Sequence, residues 1–493
     1  FRWGYYGYDS EVDIYDISDK AAPKKLRSFC QNGELVSSRA IGNKLYLVTN
    51  FTLGDLSGLT EDNIANFVPR YSNGDKIDEP VAFERISVVP ECGTPVYAVA
   101  TVLDVTNGDA PPATESVLGS GQTVYASLEN LYLAGSRYQQ ILQTETTAST
   151  SAATVVGSSS YTDILRFSLA DGGIKYSGIA SVEGTVINQF ALDEWGGNLR
   201  LAVTAANPHN FNATETRLYI LGGDMRKLGE INNLAPGEQI QSVRFTGEKG
   251  YVVTFLQKDP LFTFDLSDPA NPKVTGQLKI PGFSSYMHPL SSGYMLGIGP
   301  DGDDSGRIYG LKLSLFDVTD PFDPKEKFKF SIGDSNTYTT GLYDHREITY
   351  DTKTGILALP TEIYTYSGYF TDDIFNSTLS FYGVYLFKID LQTGITPICR
   401  LTCALPRTEN TAKLAVPGYG LIDRSTFIGD CWFAFSSAHA ISVNVKTLTR
   451  VDSIVLDKTY FESAGAKAYK GFTEKNGVVP LFTPDAADIP YTD

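Results

Sequence analysis

Cysteine, histidine and long apolar runs are all scarce in this sequence. Its 493 residues include five cysteines and four histidines, and the cysteines form neither a CxxC pair nor a zinc-binding pattern. This usage argues against a dense disulfide framework and leaves room for one disulfide. No apolar run reaches the ~18 residues that a membrane-spanning helix needs. We therefore expect no transmembrane segment in this chain.

Motifs that mark common enzyme classes are missing as well. The sequence has no GxSxG elbow of a serine hydrolase and no P-loop. Lys and Arg number 40 against 57 Asp and Glu, so the formal net charge is −17. Such a surface repels phosphate backbones, and nucleic acid is not an expected partner. The acidic excess either keeps the protein soluble or lets acidic loops hold cations.

The abundant residues favour β-structure. The chain has 29 Tyr, 27 Phe and 45 Gly, which suit half-buried strands and the turns between them. One phrase recurs: an alternating apolar strand that ends in Asp, a Pro-rich turn and a second strand. It occurs as VDIYDISDKAAPKKLRSF at 12–29, LFTFDLSDPANPKVTGQLKI at 261–280 and LSLFDVTDPFDPKEKFKF at 313–330, with a weaker echo at 99–117.

Short hairpins with Gly, Asn or Asp turns alternate with this phrase. Examples are RAIGNKLYLVTN at 39–50 and SVRFTGEKGYVVTF at 242–255, and such turns are strong signals of paired strands. A hairpin plus a phrase makes four antiparallel strands with apolar residues on both faces, so the sheet must stack against neighbours. This pattern predicts an all-β fold, a β-propeller of four-stranded antiparallel blades. A solenoid of four-stranded sheets is the alternative.

We predict a single propeller domain over residues 1–457. Seven full units are present, and a further phrase at 11–29 has no preceding hairpin. That phrase either joins strands upstream or closes the ring with the C-terminal blade, and we favour eight blades over seven. Insertions are predicted at 51–96, 137–160 and 361–381, and a tail at 458–493 packs on the propeller or trails from it. The Ser- and Thr-rich second insertion is predicted to be a flexible loop.

Five longer stretches resemble a known family. They are VSSRAIGNKLYLVTN (36–50), LGSGQTVYASLENLYLAG (118–135), LAPGEQIQSVRFTGEKGYVVTF (234–255), SSYMHPLSSGYMLGIGPDGDDSGRIYGLKLSLFDVTDPFDP (284–324) and LYDHREITYD (342–351). Over roughly 11–50 and 116–457 the chain resembles the secreted bacterial β-propeller-domain family, which is distantly related to WD-repeat propellers. The resemblance implies an exported bacterial protein, secreted or held at the cell surface. It implies no particular reaction.

Polar side chains recur at one position of the first hairpin in most units. The aligned residues are Arg39, Gln189, Arg244, His288 and His345, with Arg424 and Tyr125 in the remaining units. We expect each of them on an innermost strand, where converging strands would gather them into a ligand-binding mouth of the central channel. Alternatively, they hydrogen-bond neighbouring blades and fix the register of the ring. His288 and His345 could also meet between adjacent blades and bind a metal.

The turn PDGDDSG at 300–306 is the candidate cation site. Asp301, Asp303 and Asp304 place hard oxygen ligands in one turn, which suits calcium. The turn lacks EF-hand spacing, and a solvated acidic turn is the alternative. We therefore expect no required cofactor, with calcium as the candidate ion.

These observations lead to one functional prediction and one alternative. The prediction is a monomeric, non-catalytic binding or scaffold module for a protein, peptide or glycan ligand. The alternative is an extracellular hydrolase or lyase that acts on polysaccharide or peptide at the channel mouth, using carboxylates and His288 or His345. A convergent acid–base pair with perturbed pKa values in a deep pocket would favour the enzyme. A shallow aromatic face without such a pair would favour binding.

Overall fold

The protein, seen in a computed structural model, is built from β-strands throughout the part of the chain that the structure describes. The described residues are 9–455 except 55, 75, 91–94, 120, 147–150, 208–209, 256–258, 292, 304, 367–376, 402–421, 423 and 437–438. The predicted tail at 458–493 lies outside them. Helical structure within the described residues is limited to 3-10 turns at Glu61–Asn66, Phe83–Arg85, Ala170–Gly172, Gln189–Ala191, Thr340–Leu342 and His345–Glu347.

The chain divides into two compact units. The N-terminal unit comprises Phe1–Ile240, Gly247–Gly250 and Asp265–Lys273, and the C-terminal unit comprises Gln241–Thr246, Tyr251–Phe264 and Val274–Asp493. The prediction of a single propeller domain over 1–457 stays a prediction. The strands are given below for each unit in chain order.

The N-terminal unit contains four sheets in its described residues. Its strands are β1 (Asp9–Asp16), β2 (Lys24–Asn32), β3 (Glu34–Ile41), β4 (Lys44–Thr52), β5 (Arg70–Asn73), β6 (Lys76–Pro80), β7 (Ile86–Val88), β8 (Val96–Asp104), β9 (Ala113–Leu118), β10 (Thr123–Ala126), β11 (Asn130–Thr146), β12 (Ser151–Ser168), β13 (Lys175–Glu183), β14 (Leu192–Trp195), β15 (Asn198–Asn207), β16 (Asn210–Leu221) and β17 (Lys227–Leu234). Sheet 1 has the order β1-β2-β5-β6 and sheet 2 the order β3-β4-β8-β9-β7. Sheets 3 and 4 run in sequence order, β10 to β13 and β14 to β17.

Four more sheets lie wholly or mostly in the C-terminal unit. Their strands are β18 (Gln239–Thr246), β19 (Lys249–Phe255), β20 (Asp259–Asp265), β21 (Lys273–Ile280), β22 (Tyr286–Ser291), β23 (Tyr294–Gly302), β24 (Ile308–Asp317), β25 (Lys325–Ile332), β26 (Thr337–Tyr338), β27 (Thr349–Asp351), β28 (Ile356–Tyr366), β29 (Ser377–Asp390), β30 (Gly394–Leu401), β31 (Arg424–Ile428), β32 (Cys431–Phe435), β33 (His439–Asn444) and β34 (Thr449–Val455). Sheets 5, 6 and 8 are β18 to β21, β22 to β25 and β31 to β34, and sheet 7 joins β26-β28-β29-β30 with β27 paired to β28. The all-β prediction with repeated four-stranded antiparallel sheets is confirmed, whereas the number of blades stays a prediction.

Neighbouring sheets share apolar layers, as the alternating pattern predicted. Along β11 of sheet 3, Leu131 and Leu133 pack with residues of sheet 2, whereas Tyr132 and Ala134 pack with residues of sheet 4. All four are at most 1% exposed. Because successive side chains of a strand point to opposite faces, such a strand is fully buried when its sheet has a neighbour on each side. In the C-terminal unit, sheets 7 and 8 likewise share a core around Trp432.

The Asp residues of the recurring phrase cap the turn that follows the strand. Asp265 accepts a hydrogen bond from the backbone N–H of Ser267 (3.0 Å), and Asp268 accepts one from that of Ala270 (3.0 Å). Equivalent first-position bonds are accepted by Asp16, Asp104, Asp317 and Asp390. A short acidic side chain is favoured here because it takes the place of a backbone acceptor in the turn. The repetition of Asp in the sequence is thus a repeated local structure.

The Pro-rich turn of the phrase packs against a glycine of the preceding sheet. In the C-terminal unit, a Cβ at Gly276 of β21 would lie 2.4 Å from the carbonyl oxygen of Pro321. In the N-terminal unit, a Cβ at Gly229 of β17 would lie 2.4 Å from the carbonyl oxygen of Pro269. Only glycine lets the two backbones approach this closely.

In the described residues, the partners of the phrase at 11–29 differ from the two expected ones, which were strands upstream and the C-terminal blade. This phrase forms β1 and β2, and β2 pairs with β5, which comes from the predicted insertion at 51–96. β5 pairs in turn with β6 and completes sheet 1. β5 and β6 read RYSN and KIDEP, and neither shows the apolar alternation that identifies a half-buried strand.

The prediction of a flexible loop at 137–160 is wrong. β11 and β12 pair from Asn130↔Ser168 to Thr146↔Ser151, so most of this segment forms a long hairpin. Thr, Val and Tyr favour strands even within a segment of low complexity. The ends of the third predicted insertion, 361–381, belong to β28 and β29, and its centre at 367–376 lies outside the described residues.

Candidate functional site

Three of the predicted site residues come together in the C-terminal unit. Arg244 lies on β18, His288 on β22 and His345 on the 3-10 turn before β27. Tyr286 of β22 and Tyr350 of β27 complete the group. We call these five residues the Tyr286 cluster.

Tyr286 lies at the centre of this cluster. The guanidinium carbon of Arg244 is 5.3 Å from the centroid of the Tyr286 ring. The Tyr286 hydroxyl is 3.1 Å from Nδ1 of His288, and the ring of His345 stacks on Tyr286 with a centroid distance of 6.4 Å and an angle of 20°. The His288 ring meets Tyr350 edge to face at 5.3 Å. The cluster therefore brings two tyrosine rings, two imidazoles and a guanidinium together around Tyr286, which is itself only 8% exposed.

Burial determines the protonation of this cluster. Burial and the positive charge of Arg244 lower the pKa of His288 to about 4, so its imidazole is neutral at pH 7. Burial raises the pKa of the Tyr286 phenol above its ordinary value, against the opposing effect of Arg244. Neither group has a pKa near neutrality, which is where an efficient general acid or base is needed.

An ion-pair network surrounds Asp344, the residue before His345 in the chain. Asp344 accepts hydrogen bonds from Nε and Nη2 of Arg346, each at 2.7 Å, and Nη2 of Arg424 lies 2.9 Å from the same carboxylate. Glu347 accepts a hydrogen bond from the hydroxyl of Thr340, and Nη1 of Arg424 lies 4.0 Å from it. The bonds from Arg346 lower the pKa of Asp344 to about 2. We call these five residues the Asp344 network.

Tyr343 stands between the two 3-10 turns of this region and points into solvent. Its exposed fraction of 94% is the largest of any bulky hydrophobic side chain in the described residues. Its backbone N–H donates to the carbonyl oxygen of Thr340 at 2.9 Å, as does that of Asp344 at 3.0 Å. The ring therefore makes no contribution to the core, and its backbone is held by hydrogen bonds.

Three other aligned residues lie on strands that begin their sheets. Arg39 is on β3 and donates from Nη1 to the carbonyl oxygen of Ser38 (2.8 Å), and Arg424 is on β31. Tyr125 is on β10, and its hydroxyl accepts a hydrogen bond from the backbone N–H of Glu194 at 2.9 Å. Each of these residues lies on the first strand of its sheet, and their place on an innermost strand stays a prediction.

The prediction of an innermost strand is wrong for two residues. Gln189 and His345 both begin 3-10 turns. In each case the preceding side chain caps the turn: Asn188 accepts from the backbone N–H of Phe190 at 3.0 Å, and Asp344 caps the turn of His345. Such local side-chain bonds offer the backbone an alternative to the sheet.

Two aligned residues join neighbouring sheets within their own unit. Nε of Arg244 donates to the carbonyl oxygen of Met287, which connects sheets 5 and 6. The Tyr125 hydroxyl accepts from Glu194, which connects sheets 3 and 4. Such contacts are expected if the aligned residues hydrogen-bond neighbouring sheets, which is the alternative to ligand binding. The ligand-binding role assigned to Arg39, Gln189, Arg244, His288 and His345 stays a prediction.

Two of the candidate calcium ligands have partners within the protein. Asp301 is fully buried, with Nζ of Lys329 2.6 Å away and a hydrogen bond from Ser331. Asp303 accepts from the backbone N–H of Ser305 at 2.9 Å and so caps its own turn. Asp304 lies outside the described residues, so the calcium site stays a prediction. The described part of the chain holds no group of three or more His, Cys, Asp or Glu suited to a metal ion.

A groove of about 680 Å³ lies within the N-terminal unit, beside β13, β16 and β17. Arg217 and Lys227 both line this groove. Arg217 is paired with Glu183 and Glu215, and Lys227 is paired with Glu230 at 2.7 Å. Its ionic groups thus pair with each other.

The structure also locates three of the five cysteines and can be searched for membrane-spanning helices. Cys399 and Cys431 are free thiols, while Cys92 and Cys403 lie outside the described residues. Among the described residues, no helix has the length and apolar character required to cross a membrane.

Comparison with known proteins gives one family match and several partial or distant relatives. A family model described as "Beta propeller domain" matches residues 3–448. An uncharacterized protein of Methanocaldococcus jannaschii is 38% identical over 206 residues, which cover 42% of this chain and 32% of that protein. An uncharacterized protein of Archaeoglobus fulgidus is 40% identical over 199 residues, covering 40% and 29%. The match thus spans about a third of each curated relative.

Among solved structures, apo AztD from Citrobacter koseri aligns over 92% of this chain and 94% of that chain, with 11% identity and a TM-score of 0.40. A likeness of this size has no bearing on function. Both curated relatives are archaeal, so the bacterial origin that the resemblance implied stays a prediction.

Proposed function

Because the chain belongs to the β-propeller domain family, we propose that it is a non-catalytic binding module for a protein, peptide or glycan. The ligand contacts the surface formed by the Tyr286 cluster, the Asp344 network and Tyr343. One observation carries the proposal: guanidinium, imidazole and aromatic groups share this surface, while its carboxylates are held in ion pairs. We further propose that the protein works outside the cell, as the resemblance of residues 11–50 and 116–457 implies.

The chemistry of the surface favours binding over hydrolysis. A glycosidase pairs an ionised carboxylate with a carboxylic acid whose pKa is raised. Here the pKa of Asp344 is lowered to about 2 by its hydrogen bonds with Arg346, and Glu347 is engaged by Thr340 and Arg424. His288, with a pKa of about 4, is a weak base at neutral pH. The alternative of a hydrolase or lyase therefore lacks a poised acid–base pair at this surface.

One experiment separates binding from catalysis. The purified chain is passed over immobilised panels of glycans, peptides and proteins at pH 7, and the retained ligands are then examined by mass spectrometry. We expect retention with the ligand intact. Cleavage products that disappear in a His288→Gln variant would overturn the proposal in favour of the hydrolase.

A variant at the exposed edge of the surface tests where the ligand binds. Arg346→Gln removes a guanidinium whose side chain is 56% exposed, and we expect retention to weaken by about tenfold, the effect of losing one charged hydrogen bond. The control is Arg226→Gln, which removes an arginine that is 87% exposed and paired with Asp224. If both variants retain ligand like the unaltered chain, the site lies elsewhere.

A further inference from the structure

We propose that the ligand of this surface is a neutral glycan, with Tyr343 stacked on a sugar ring and the Arg346–Asp344 pair bound to neighbouring hydroxyls. This inference rests on the proposed function and narrows its three ligand classes to one.

Tyr343 has the properties of a stacking platform. Its side chain is 94% exposed, yet its backbone is fixed on both sides. Upstream, the N–H groups of Tyr343 and Asp344 both donate to Thr340. Downstream, the N–H of Glu347 donates to Asp344 at 3.0 Å and that of Ile348 to His345 at 3.1 Å. A platform held rigid before binding reduces the entropy lost on binding, and the electron-rich face of the ring attracts the C–H groups of a sugar.

The Arg346–Asp344 pair, which neighbours Tyr343 in the chain, supplies planar hydrogen-bonding groups. Asp344 engages Nε and Nη2 of Arg346 at 2.7 Å each, so the guanidinium is held in one orientation. A guanidinium carries five N–H groups. Those of Nη1 are not used by Asp344, and with the side chain 56% exposed they can donate to a hydroxyl of the ligand. Groups fixed by their ion pair suit the closely spaced hydroxyls of a sugar better than a mobile side chain does.

The charge balance of the Asp344 network, which holds the groups assigned to the sugar hydroxyls, favours a neutral ligand. Arg346 and Arg424 are matched by Asp344 and Glu347, so the Asp344 network carries no net charge. The whole protein carries a formal charge of −17, which opposes the approach of an anionic polymer. An extended peptide usually binds along an open strand edge, whereas Tyr343 stands on a turn. A neutral polyhydroxylated ligand fits these conditions best.

Calorimetric titration with neutral oligosaccharides (cello-, malto- and manno-oligosaccharides) tests the inference. We expect Tyr343→Ala to weaken binding by about tenfold or more, and Tyr343→Phe to retain it, because the stacking face remains. Arg346→Lys should weaken binding by about tenfold, since an ammonium cannot replace the planar fork. The controls are Tyr138→Ala, at an exposed tyrosine of β11, and Arg226→Lys, which should bind like the unaltered chain. Melting temperatures measured in parallel show that each variant is folded.

The outcomes distinguish the inference from the proposed function. Binding of the neutral sugars should stay constant when salt rises from about 0.05 M to 0.5 M, because no net charge is involved. Tighter binding of oligogalacturonate that weakens with salt would overturn the neutral glycan. A peptide that binds in a Tyr343-dependent way, with no sugar bound, would overturn the inference and leave the binding module intact. If no glycan, peptide or protein binds in a manner sensitive to Tyr343 or Arg346, the proposed function itself fails.

Discussion

Replacement of Gly276 by alanine tests the contact that links the recurring phrase to the preceding sheet. A Cβ at this position would lie 2.4 Å from the carbonyl oxygen of Pro321, 2.9 Å from Oγ1 of Thr263 and 3.0 Å from Cδ of Pro324. The turn cannot yield easily, because two prolines restrict it and the Thr263 hydroxyl donates to Pro321. Overpacking of this kind costs about 1–3 kcal/mol. Alanine also restricts the unfolded chain, which stabilises the folded protein by roughly 0.4–1 kcal/mol. We therefore expect the free energy of unfolding to fall by about 1–2 kcal/mol.

Urea unfolding of the full chain, followed by circular dichroism, measures this loss as a lower midpoint with an unchanged slope. Gly229→Ala should behave in the same way, because its Cβ would meet Pro269 at 2.4 Å. The matched control is Gly58→Ala, at an exposed turn where a Cβ meets nothing within 4 Å, and its midpoint should stay level or rise slightly. If Gly276→Ala unfolds at the midpoint of the control, the turn is not packed as described and the argument is refuted.

Two further predictions concern buried titratable groups. His288 has a pKa of about 4 in the folded protein against 6.5 when unperturbed, so stability from its neutral form is present above pH 6.5 and is lost as the pH falls toward 4, by up to about 3 kcal/mol. The urea midpoint of the unaltered chain should fall between pH 7 and pH 4 because of this loss. If the midpoint of His288→Gln falls by the same amount over this pH range, the prediction is contradicted. Burial raises the pKa of Cys399 to about 12, so its thiol should resist a disulfide reagent until the protein unfolds, whereas Cys431, which is partly exposed, should react in the native state. Rapid labelling of native Cys399, located by peptide mapping, would show that it is not buried.

The sheet repeat could be predicted because its signals are local. Asp265 and Asp268 each cap a turn two residues ahead, so the same short phrase produces the same turn wherever it occurs. The alternation along Leu131–Ala134 likewise reports burial on both faces without knowledge of the neighbours. These features depend on a few consecutive residues, which is why the all-β fold was predictable.

Elements whose structure depends on distant partners were not predictable. β5 and β6 are short and polar, and they become strands because β2 lies beside them. The hairpin of β11 and β12 is held by its own pairing through a segment that composition alone suggests is loop-like. In the first case tertiary pairing prevails over local composition. In the second, the strand preference of Thr, Val and Tyr prevails over the loop-like appearance of a low-complexity segment.

The candidate site was predicted in part. The alignment of first hairpins identified Arg244, His288 and His345, which the structure brings to one cluster around Tyr286. Tyr286 could have been found, since it is two residues from His288 on the same strand and so shares its face. The exposure of Tyr343 could not have been predicted, because it depends on the two 3-10 turns on either side of this residue.

The central claim is that a ligand is bound at the surface around Tyr343, and amide hydrogen exchange of the full chain tests it most directly. Exchange is compared with and without a saturating neutral oligosaccharide. We expect added protection in peptides that cover residues 340–348, whose amides form the 3-10 turns, and little change in those that cover the groove beside β16 and β17. Protection of the groove with unchanged exchange at 340–348 would contradict the account.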